Sequence, residues 1–292
     1  MWLGTPRGLI ELVSDVQTTS EPAMTVVEHR KIRRADTSRL VVNGKVVDKT
    51  TDFRNAKWAH LGNTGGYVFL APARIRVKIE KRSGKWAHIN VQKRPGYDVL
   101  HERTYATMHL EHSDGASAAW MLLPGATEEQ ARSAADEQGD AKVIRNDAAA
   151  QIVDVAEGAR AFAIWTPGVY GGWRFEQPAV VFAQRRSNEL TLVVSAPTQG
   201  AESVALSLPG EWRLLDGEAD IAVRGESTRA MFPTADREGR ALTVTLRSKQ
   251  DEQVSPAPPT PSRPSAPSAP SASSVSPAPQ APRGPGLPST GL

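Results

Sequence analysis

The sequence predicts an all-β protein, in which a large antiparallel β-sandwich is followed by a small C-terminal β-domain and a disordered Pro/Ser/Ala-rich tail. Three observations predict this fold. Many short segments alternate apolar and polar residues with a period of two, and turn residues separate them. Only one segment has a helical pattern. From residue 254 to the end, twelve of the chain's 22 prolines occur among Ser and Ala, a composition that cannot bury a core.

The clearest single strand covers residues 74–80. Ile75, Val77 and Ile79 fall on one side of this segment, and charged residues occupy the other side. Because successive side chains of a strand point to opposite faces, the alternation predicts a half-buried strand with a charged outer face.

A tight hairpin is predicted over residues 40–47. Two apolar strands, Leu40–Val42 and Lys45–Val47, flank the dipeptide Asn43-Gly44. This dipeptide tolerates the positive φ angles of a type I′ turn, which joins antiparallel strands with only two residues.

Other segments show the same strand pattern more briefly. Ser83-Gly84 predicts a second reversal, after which Trp86 to Val91 is expected to return as a strand. Further strands are predicted over residues 105–110, 118–123, 142–145, 151–155, 160–165, 179–183, 190–195, 203–208, 221–224 and 242–247.

The one predicted helix begins after Thr127. Thr127 and Gln130 have the spacing of a capping box, in which each side chain hydrogen-bonds the backbone N–H of the other residue. Ala131, Ala134 and Ala135 form its apolar stripe up to about residue 136.

Charge and composition exclude several classes of protein. The chain has 35 basic and 32 acidic residues, a net charge of +3, and no cysteine. The charges are mixed along the chain, so no nucleic-acid partner is predicted, and the lack of cysteine excludes disulfides and Cys-ligated zinc. No apolar run approaches the ~18 residues of a membrane span. Residues 1–15 lack a signal-peptide core, so we expect any export signal upstream of Met1.

Motifs of common catalytic and metal sites are not found. His109 and His112 are three residues apart, but on a strand this spacing places them on opposite faces. Neither a zinc-protease motif, nor a nucleophile elbow, nor a phosphate-binding glycine loop occurs. We assign no catalytic residue, metal ligand or cofactor, and calcium binding stays open.

Aromatic residues beside polar ones are the best candidates for contact with sugars, because an aromatic ring stacks on a sugar ring while neighbouring donors and acceptors bind hydroxyls. One set shares a face of the predicted strand 86–91, and the other flanks a glycine-rich loop. The alternative is that these rings fill the space between two sheets. The candidates are Trp86, His88 and Asn90 in the first set and Trp58, His60 and Tyr67 in the second.

The tail ends in a motif that points to the bacterial cell wall. Leu287-Pro288-Ser289-Thr290-Gly291 matches the Leu-Pro-x-Thr-Gly signal at which sortases join proteins to the wall. A Pro-rich spacer of this kind is extended and semi-rigid. A complete sorting signal continues into an apolar segment and basic residues, which do not follow Leu292 here. The predicted location is the extracellular or wall surface of a Gram-positive-type bacterium.

Several segments together resemble the β-domains of polysaccharide lyase family 8, which includes hyaluronate, chondroitin AC and xanthan lyases. The stretch from Ala23 to Arg30 is similar to the family's Thr-x-x-Glu-Asn-Arg, with His29 at the Asn position. The segment from His112 to Gly125 resembles the family's His-Gly and Tyr-x-Tyr-x-x-x-Pro pattern, with Ala118 and Trp120 at the Tyr positions. Further similar segments are 57–60 with 66–69, 84–90, 146–153 and 195–199.

The resemblance implies a β-elimination beside a uronic acid, performed by Asn, His and Tyr with help from Arg and Glu. In the family these residues lie in an N-terminal α/α toroid and at the start of the central sandwich, upstream of what corresponds to Met1. None of them maps onto this sequence. The resemblance further implies that residues 1–178 are the distal part of the lyase central β-sandwich and residues 179–249 its C-terminal β-domain, followed by a disordered linker at 250–292. The expected partners are therefore a uronic-acid polysaccharide such as hyaluronan or chondroitin, an N-terminal catalytic domain, and sortase with the cell wall. The chain alone is expected to be inactive.

Two alternatives stay open. The first is a stand-alone carbohydrate-binding or adhesive surface module, which would bind polymer without a toroid. The second is a complete enzyme whose site none of these motifs identifies.

Overall fold

The structure is a computed structural model that describes residues 1–19, 23–32, 39–90, 94–137 and 141–249. The predicted tail at 250–292, including the motif Leu287 to Gly291, lies outside the described residues. Antiparallel strands dominate the rest, as predicted, and they form three sheets. No described helix has the length and apolar character needed to cross a bilayer.

A nine-stranded sheet forms the N-terminal part of the described chain. Its strands are β1 (Trp2–Thr5), β2 (Gly8–Val16), β3 (Ala23–Lys31), β4 (Leu40–Val42), β5 (Lys45–Val47), β6 (Thr51–Leu61), β7 (Gly65–Gly84), β8 (His101–His112) and β9 (Ala116–Pro124). The order β1-β2-β9-β7-β6-β4-β5 describes one path through it, and β3 joins through β8.

The long strand β7 connects the two parts of this sheet. Its first five residues pair with β9, from Gly65 opposite Pro124 to Phe69 opposite Trp120. Its second half pairs with β8, from Ile75 opposite Leu110 onward. Because β7 changes partners along its 20 residues, β3 and β8 lie at one end of the sheet and β1, β2 and β9 at the other.

The predicted strand and hairpin of this sheet are confirmed. Ile75 and Val77 are 1% and 0% exposed, and they lie in one apolar cluster with residues of β4, β6 and β8. Leu40–Val42 pairs with Lys45–Val47. Asn43 and Gly44 have φ angles of 48° and 79°, which are the positive angles that the two-residue turn requires.

The predicted strand at 86–91 is wrong over its described residues. β7 continues to Gly84, whose partner is His101 of β8, so Ser83-Gly84 does not reverse the chain. Trp86–His88 instead forms a 3₁₀ helix in the connection to β8. The N–H groups of Ile89 and Asn90 bond to the carbonyl of Trp86 at 3.1 and 3.0 Å. Since β8 occupies the edge of β7, residues 86–90 have no strand to pair with and satisfy their backbone locally.

The predicted helix is confirmed as α1 (Glu128–Glu137). The N–H of Thr127 donates to Gln130 at 2.8 Å, and the N–H of Gln130 donates to the Thr127 hydroxyl at 3.2 Å. Ala131 is fully buried and packs with Val41 and Trp58. The helix therefore covers one face of the sheet at β4, β6 and β7.

The C-terminal part of the described chain is a sandwich of two sheets. The seven-stranded sheet has the order β10 (Ala141–Asn146), β11 (Ala150–Val155), β12 (Ala159–Ile164), β15 (Ala179–Arg186), β16 (Glu189–Ser195), β21 (Leu242–Ser248) and β18 (Trp212–Asp216). The five-stranded sheet has the order β13 (Gly168–Tyr170), β14 (Trp173–Phe175), β17 (Ser203–Pro209), β20 (Ser227–Pro233) and β19 (Asp220–Arg224). Phe162, Phe175 and Phe232 are buried in the core that the two sheets share.

The domain boundary that the sequence suggested near residue 178 falls inside this sandwich. Strands β10, β11 and β12 precede it, yet they belong to the same seven-stranded sheet as β15 and β16. The change of sheet occurs between β9 and β10, where α1 intervenes. The physical reason is hydrogen bonding, because β12 pairs with β15 along its whole length.

Two amides join the sandwich to the nine-stranded sheet. The side-chain amide of Asn146 donates to the carbonyls of Val13 and Ala118, at 3.0 Å each. The amide of the buried Gln151 donates to Asn146 at 2.9 Å and to the carbonyl of Leu12 at 3.2 Å. Both residues lie in the segment 146–153 that resembles the lyase family. They satisfy backbone groups at the junction, where a buried unpaired carbonyl would be costly.

Candidate carbohydrate-contact surfaces

The six residues predicted to contact sugars lie in two separate places with different exposure. Trp58 of β6 and Tyr67 of β7 are 6% and 1% exposed. Trp58 packs beneath α1, and Tyr67 lies in the apolar cluster of the nine-stranded sheet. Neither ring presents a face to solvent. Both rings fill the core, which was the alternative interpretation of the sequence.

Tyr67 has a structural partner that the sequence did not single out. Its hydroxyl donates to the carboxylate of Glu28 on β3. Glu28 also accepts from the N–H of His29 at 2.9 Å and from Arg30 at 3.3 Å. Burial, together with the hydrogen bond to Glu28 and its charge, raises the pKa of Tyr67 above its ordinary value, so the phenol stays a donor. Two family-like segments, 23–30 and 66–69, therefore meet at this bond.

His60 is half-buried and supports the loop before α1. Its Nε2 lies 3.1 Å from the carbonyl oxygen of Ala126, one residue before the capping Thr127. The contact holds the start of the helix against β6.

Trp86, His88 and Asn90 remain on the surface, although not on one strand face. All three are exposed, and Trp86 is 54% exposed. Ile89, the residue that follows the 3₁₀ helix, is 77% exposed. Asn90 contacts the hydroxyl of Tyr97 at 3.5 Å. Of the predicted residues, Trp86 is the aromatic ring that solvent can reach.

A larger polar surface covers the outer face of the sheet where β3, β8, β7 and β6 lie side by side. Outward residues alternate with the buried Ile75 and Val77, and cross-strand pairs such as Arg76 with His109 set their positions. We call this surface the basic face. Its polar and aromatic members are His29 and Lys31 of β3, Arg103, Tyr105, Thr107, His109 and Glu111 of β8, Arg74, Arg76, Lys78, Glu80 and Arg82 of β7, and Asp52 of β6. The exposed Met24 and Val26 of β3, which pair with Glu111 and His109, lie on the same face.

Positive charge exceeds negative charge on the basic face, which contains six Lys and Arg residues and three Asp and Glu residues. Arg76 pairs with Asp52 at 2.7 Å and with Glu111 at 2.7 Å, and Arg82 pairs with Glu80. The other four cations form no ion pair with a described residue. These are Lys31, Arg74, Lys78 and Arg103.

Aromatic and imidazole rings lie among these charges. The rings of His29 and Tyr105 stack with centroids 5.0 Å apart and an interplanar angle of 3°. Arg82 lies over the ring of Tyr105, with its guanidinium carbon 5.7 Å from the ring centroid. His29 Nδ1 lies 2.8 Å from the hydroxyl of Thr107. The face thus combines cations, a partly exposed aromatic ring and hydroxyl partners.

His109 lies in the middle of the basic face and is 2% exposed. Its burial lowers its pKa, and the positive charges of Lys78 and Arg76 lower it further, against the opposing charge of Glu111. A neutral His109 leaves the surplus charge to the Lys and Arg residues. Within the described ranges, no group of three or more His, Cys, Asp or Glu side chains is arranged to hold a metal ion.

The sequence matches two domain models of one family. Residues 1–135 match the super-sandwich domain of polysaccharide lyase family 8, and residues 142–205 match its C-terminal β-sandwich domain. The chain belongs to polysaccharide lyase family 8. The two matches meet where α1 leads into β10, which is where the sheets change.

Curated relatives of this chain include two hyaluronate lyases of Cutibacterium acnes. HylB of strain DSM 16379 / KPA171202 is 33% identical over 259 residues, covering 84% of this chain and 32% of that protein. HylA is 32% identical over 270 residues, covering 88% of this chain and 32% of that protein. The chain therefore spans about a third of the length of these family 8 relatives.

Lyases of known structure have the same fold. Paenibacillus xanthan lyase superposes with a TM-score of 0.78 at 20% identity, covering 85% of this chain and 26% of that chain. Streptomyces coelicolor A3 chondroitin AC lyase in complex with chondroitin sulphate superposes with a TM-score of 0.70 at 22% identity, covering 85% and 32%.

Proposed function

We propose that this chain is the non-catalytic β-sandwich part of an exported polysaccharide lyase that cleaves a uronic-acid polymer, such as hyaluronan or chondroitin, by β-elimination. Its role is to support the substrate cleft and to bind polymer. One observation supports the proposal above all: a chain of this family has a basic face on its nine-stranded sheet. Hyaluronan and chondroitin carry repeated carboxylates, which complement a surplus of Lys and Arg.

The shape of the basic face suits an extended polymer. Alternate residues of a strand lie about 6.6 Å apart, so the outward cations of β7 form a row from Arg74 to Arg82 of about 26 Å. Such a row can meet several carboxylates of one chain. Tyr105, partly exposed beside Arg82, offers a ring on which a sugar can stack.

The proposal assigns elimination itself to other residues of the family's lyases. Removing a proton beside a carboxylate requires a positioned base and a group that stabilises the developing charge. The resemblance assigns these roles to an Asn, a His and a Tyr, none of which maps onto this sequence. This chain is about a third of the length of its curated relatives, and its part in the lyase is to hold polymer near that site.

Export and attachment to the wall belong to the same proposal. Their support is the motif Leu287 to Gly291 behind a spacer dense in proline, in a chain whose relatives include bacterial hyaluronate lyases. We expect a spacer of this composition to set the sandwich away from the wall surface.

The test is binding of hyaluronan by the purified chain at low salt, with uncharged dextran as the comparison polymer. We expect binding of hyaluronan only, weakened by added salt because salt screens exposed charges. The double variant Arg74→Glu/Lys78→Glu should bind at least about tenfold more weakly, since it reverses two cations without ion-pair partners.

The matched control is Lys45→Glu/Lys142→Glu, which changes the net charge equally at exposed positions outside the basic face. Its affinity should stay within about twofold of the parent protein. Equal losses in the two double variants, or binding of dextran as strong as that of hyaluronan, would show that the basic face does not recognise the polymer.

A further inference from the structure

A cleft of about 560 Å³ opens between the two sheets of the C-terminal sandwich. Strands β11, β12, β15 and β18 supply one wall from the seven-stranded sheet, and β14 and β17 supply the other. The side chains that determine its chemistry are Asp154, Arg160, Trp173, Arg185, Pro209 and Trp212. The cleft contains no residue of the basic face.

Two tryptophans line this cleft in different ways. Trp212 is 5% exposed, and its Nε1 donates to the carbonyl of Pro209 at 2.8 Å, so its ring is fixed as part of the wall. Trp173 is partly exposed and rests on Phe162, with ring centroids 5.2 Å apart. Trp173 is therefore a partly exposed indole that packs against Phe162.

Charged groups lie around the tryptophans. Arg160 and Asp154 form a two-bond ion pair, one bond of which is 2.9 Å long, and Asp154 raises the pKa of Arg160. Arg185 lies over the Trp212 ring, 5.5 Å from its centroid. Its Nε donates to the carbonyl of Ser187 at 3.4 Å, and it forms no ion pair with a described residue. The cleft thus holds one neutralised cation and one cation without a carboxylate partner.

We propose that this cleft is a second saccharide site, which binds a short acidic oligosaccharide with a sugar ring on Trp173 and a uronate carboxylate on Arg185. Aromatic faces stack on the C–H face of a pyranose. A guanidinium forms paired hydrogen bonds with a carboxylate. The ion pair of Arg160 with Asp154 offers both donors and acceptors to hydroxyls. The identity of the ligand as a uronate saccharide rests on the proposed function, whereas the site itself is independent of the basic face.

The test uses the full chain and a hyaluronan tetrasaccharide, followed by NMR of the tryptophan indole N–H signals. The signal of Trp173 is identified by its loss in Trp173→Phe. We expect this signal to shift saturably on titration. Arg185→Gln should weaken the titration at least tenfold. The neighbouring Arg186→Gln, which is exposed and lies outside the cleft, should leave it unchanged.

Three outcomes would overturn the cleft site: no shift of the Trp173 signal, equal effects of Arg185→Gln and Arg186→Gln, or equal titration by an uncharged tetrasaccharide. The basic-face variant Arg74→Glu/Lys78→Glu separates the two proposals. If this variant binds polymeric hyaluronan as tightly as the parent chain and the Trp173 titration persists, only the proposed role of the basic face fails. If polymer binding persists and the Trp173 titration is absent, only the cleft site fails.

Discussion

At the scale of single residues, the two histidines of β8 show how strand geometry decides the role of a side chain. His109 and His112 lie on opposite faces, as their spacing on a strand predicts. His109 belongs to the basic face, while His112 Nε2 lies 2.7 Å from the hydroxyl of Thr25. Both are nearly buried, at 2% and 7% exposure. What the sequence could not indicate is this burial, because it depends on β3 pairing with β8 from a distant part of the chain.

Burial of these histidines predicts that acid destabilises the protein near neutral pH. Desolvation lowers the pKa of both residues below their ordinary 6.5. The unfolded chain therefore binds protons that the folded chain does not, and stability is lost as the pH falls below 6.5 toward the folded pKa values. We expect the free energy of unfolding, measured with urea, to decrease between pH 7.5 and pH 5. His109→Gln should reduce that decrease.

The control for this prediction is His88→Gln, because His88 is exposed on the 3₁₀ helix. Comparing slopes with pH, rather than absolute stabilities, removes any uniform cost of a substitution. A slope in His109→Gln that equals that of His88→Gln would contradict the role given to His109.

At the scale of elements, sequence patterns predicted the strand at 74–80 and the turn at Asn43-Gly44. Strands β2 and β3 were not predicted, although each is nine residues long, because a β-bulge interrupts the alternation of each strand. The capping box of α1 and the hairpin at Asn43-Gly44 are local, so they could be read directly. Strands β13 and β14 are three residues long, too short to show a period. Residues 86–90 alternate like a strand, but β8 already occupies the edge of β7. The residues predicted to contact sugars differ in exposure. Strand pairing and helix packing bury Trp58 and Tyr67, whereas Trp86 lies in a connection between strands.

The contact between α1 and β7 predicts a strict requirement for glycine at position 66. A Cβ at Gly66 would lie 2.6 Å from the Cβ of Ala131 and 3.4 Å from its Cα. The helix would have to move away from the sheet, at a cost of roughly 1–3 kcal/mol. We expect Gly66→Ala to lower the free energy of unfolding by that amount. Gly84→Ala is the matched control in the same strand, since a Cβ there meets nothing within 4 Å. A Gly66→Ala protein as stable as Gly84→Ala would disprove the close packing of α1.

At the scale of the whole molecule, the described chain is a nine-stranded sheet joined to a two-sheet sandwich through α1 and the amides of Asn146 and Gln151. The class of fold and the family could be predicted from local patterns and from the order of family-like segments. The place where the sheets change could not, because it depends on β12 pairing with β15 across the β13–β14 hairpin. The basic face could not be predicted from the sequence either, since its charges come from four strands that are separated in sequence.

We propose that this chain binds and supports a uronic-acid polymer without cleaving it. The most direct test incubates the purified chain with hyaluronan, chondroitin or xanthan and follows the ultraviolet absorbance of unsaturated uronate, the product of β-elimination. An active bacterial hyaluronate lyase serves as the positive control. We expect no product above the rate measured without protein, under conditions in which the chain binds hyaluronan. Product that increases in proportion to the amount of chain would contradict it and would place a complete catalytic site within these 292 residues.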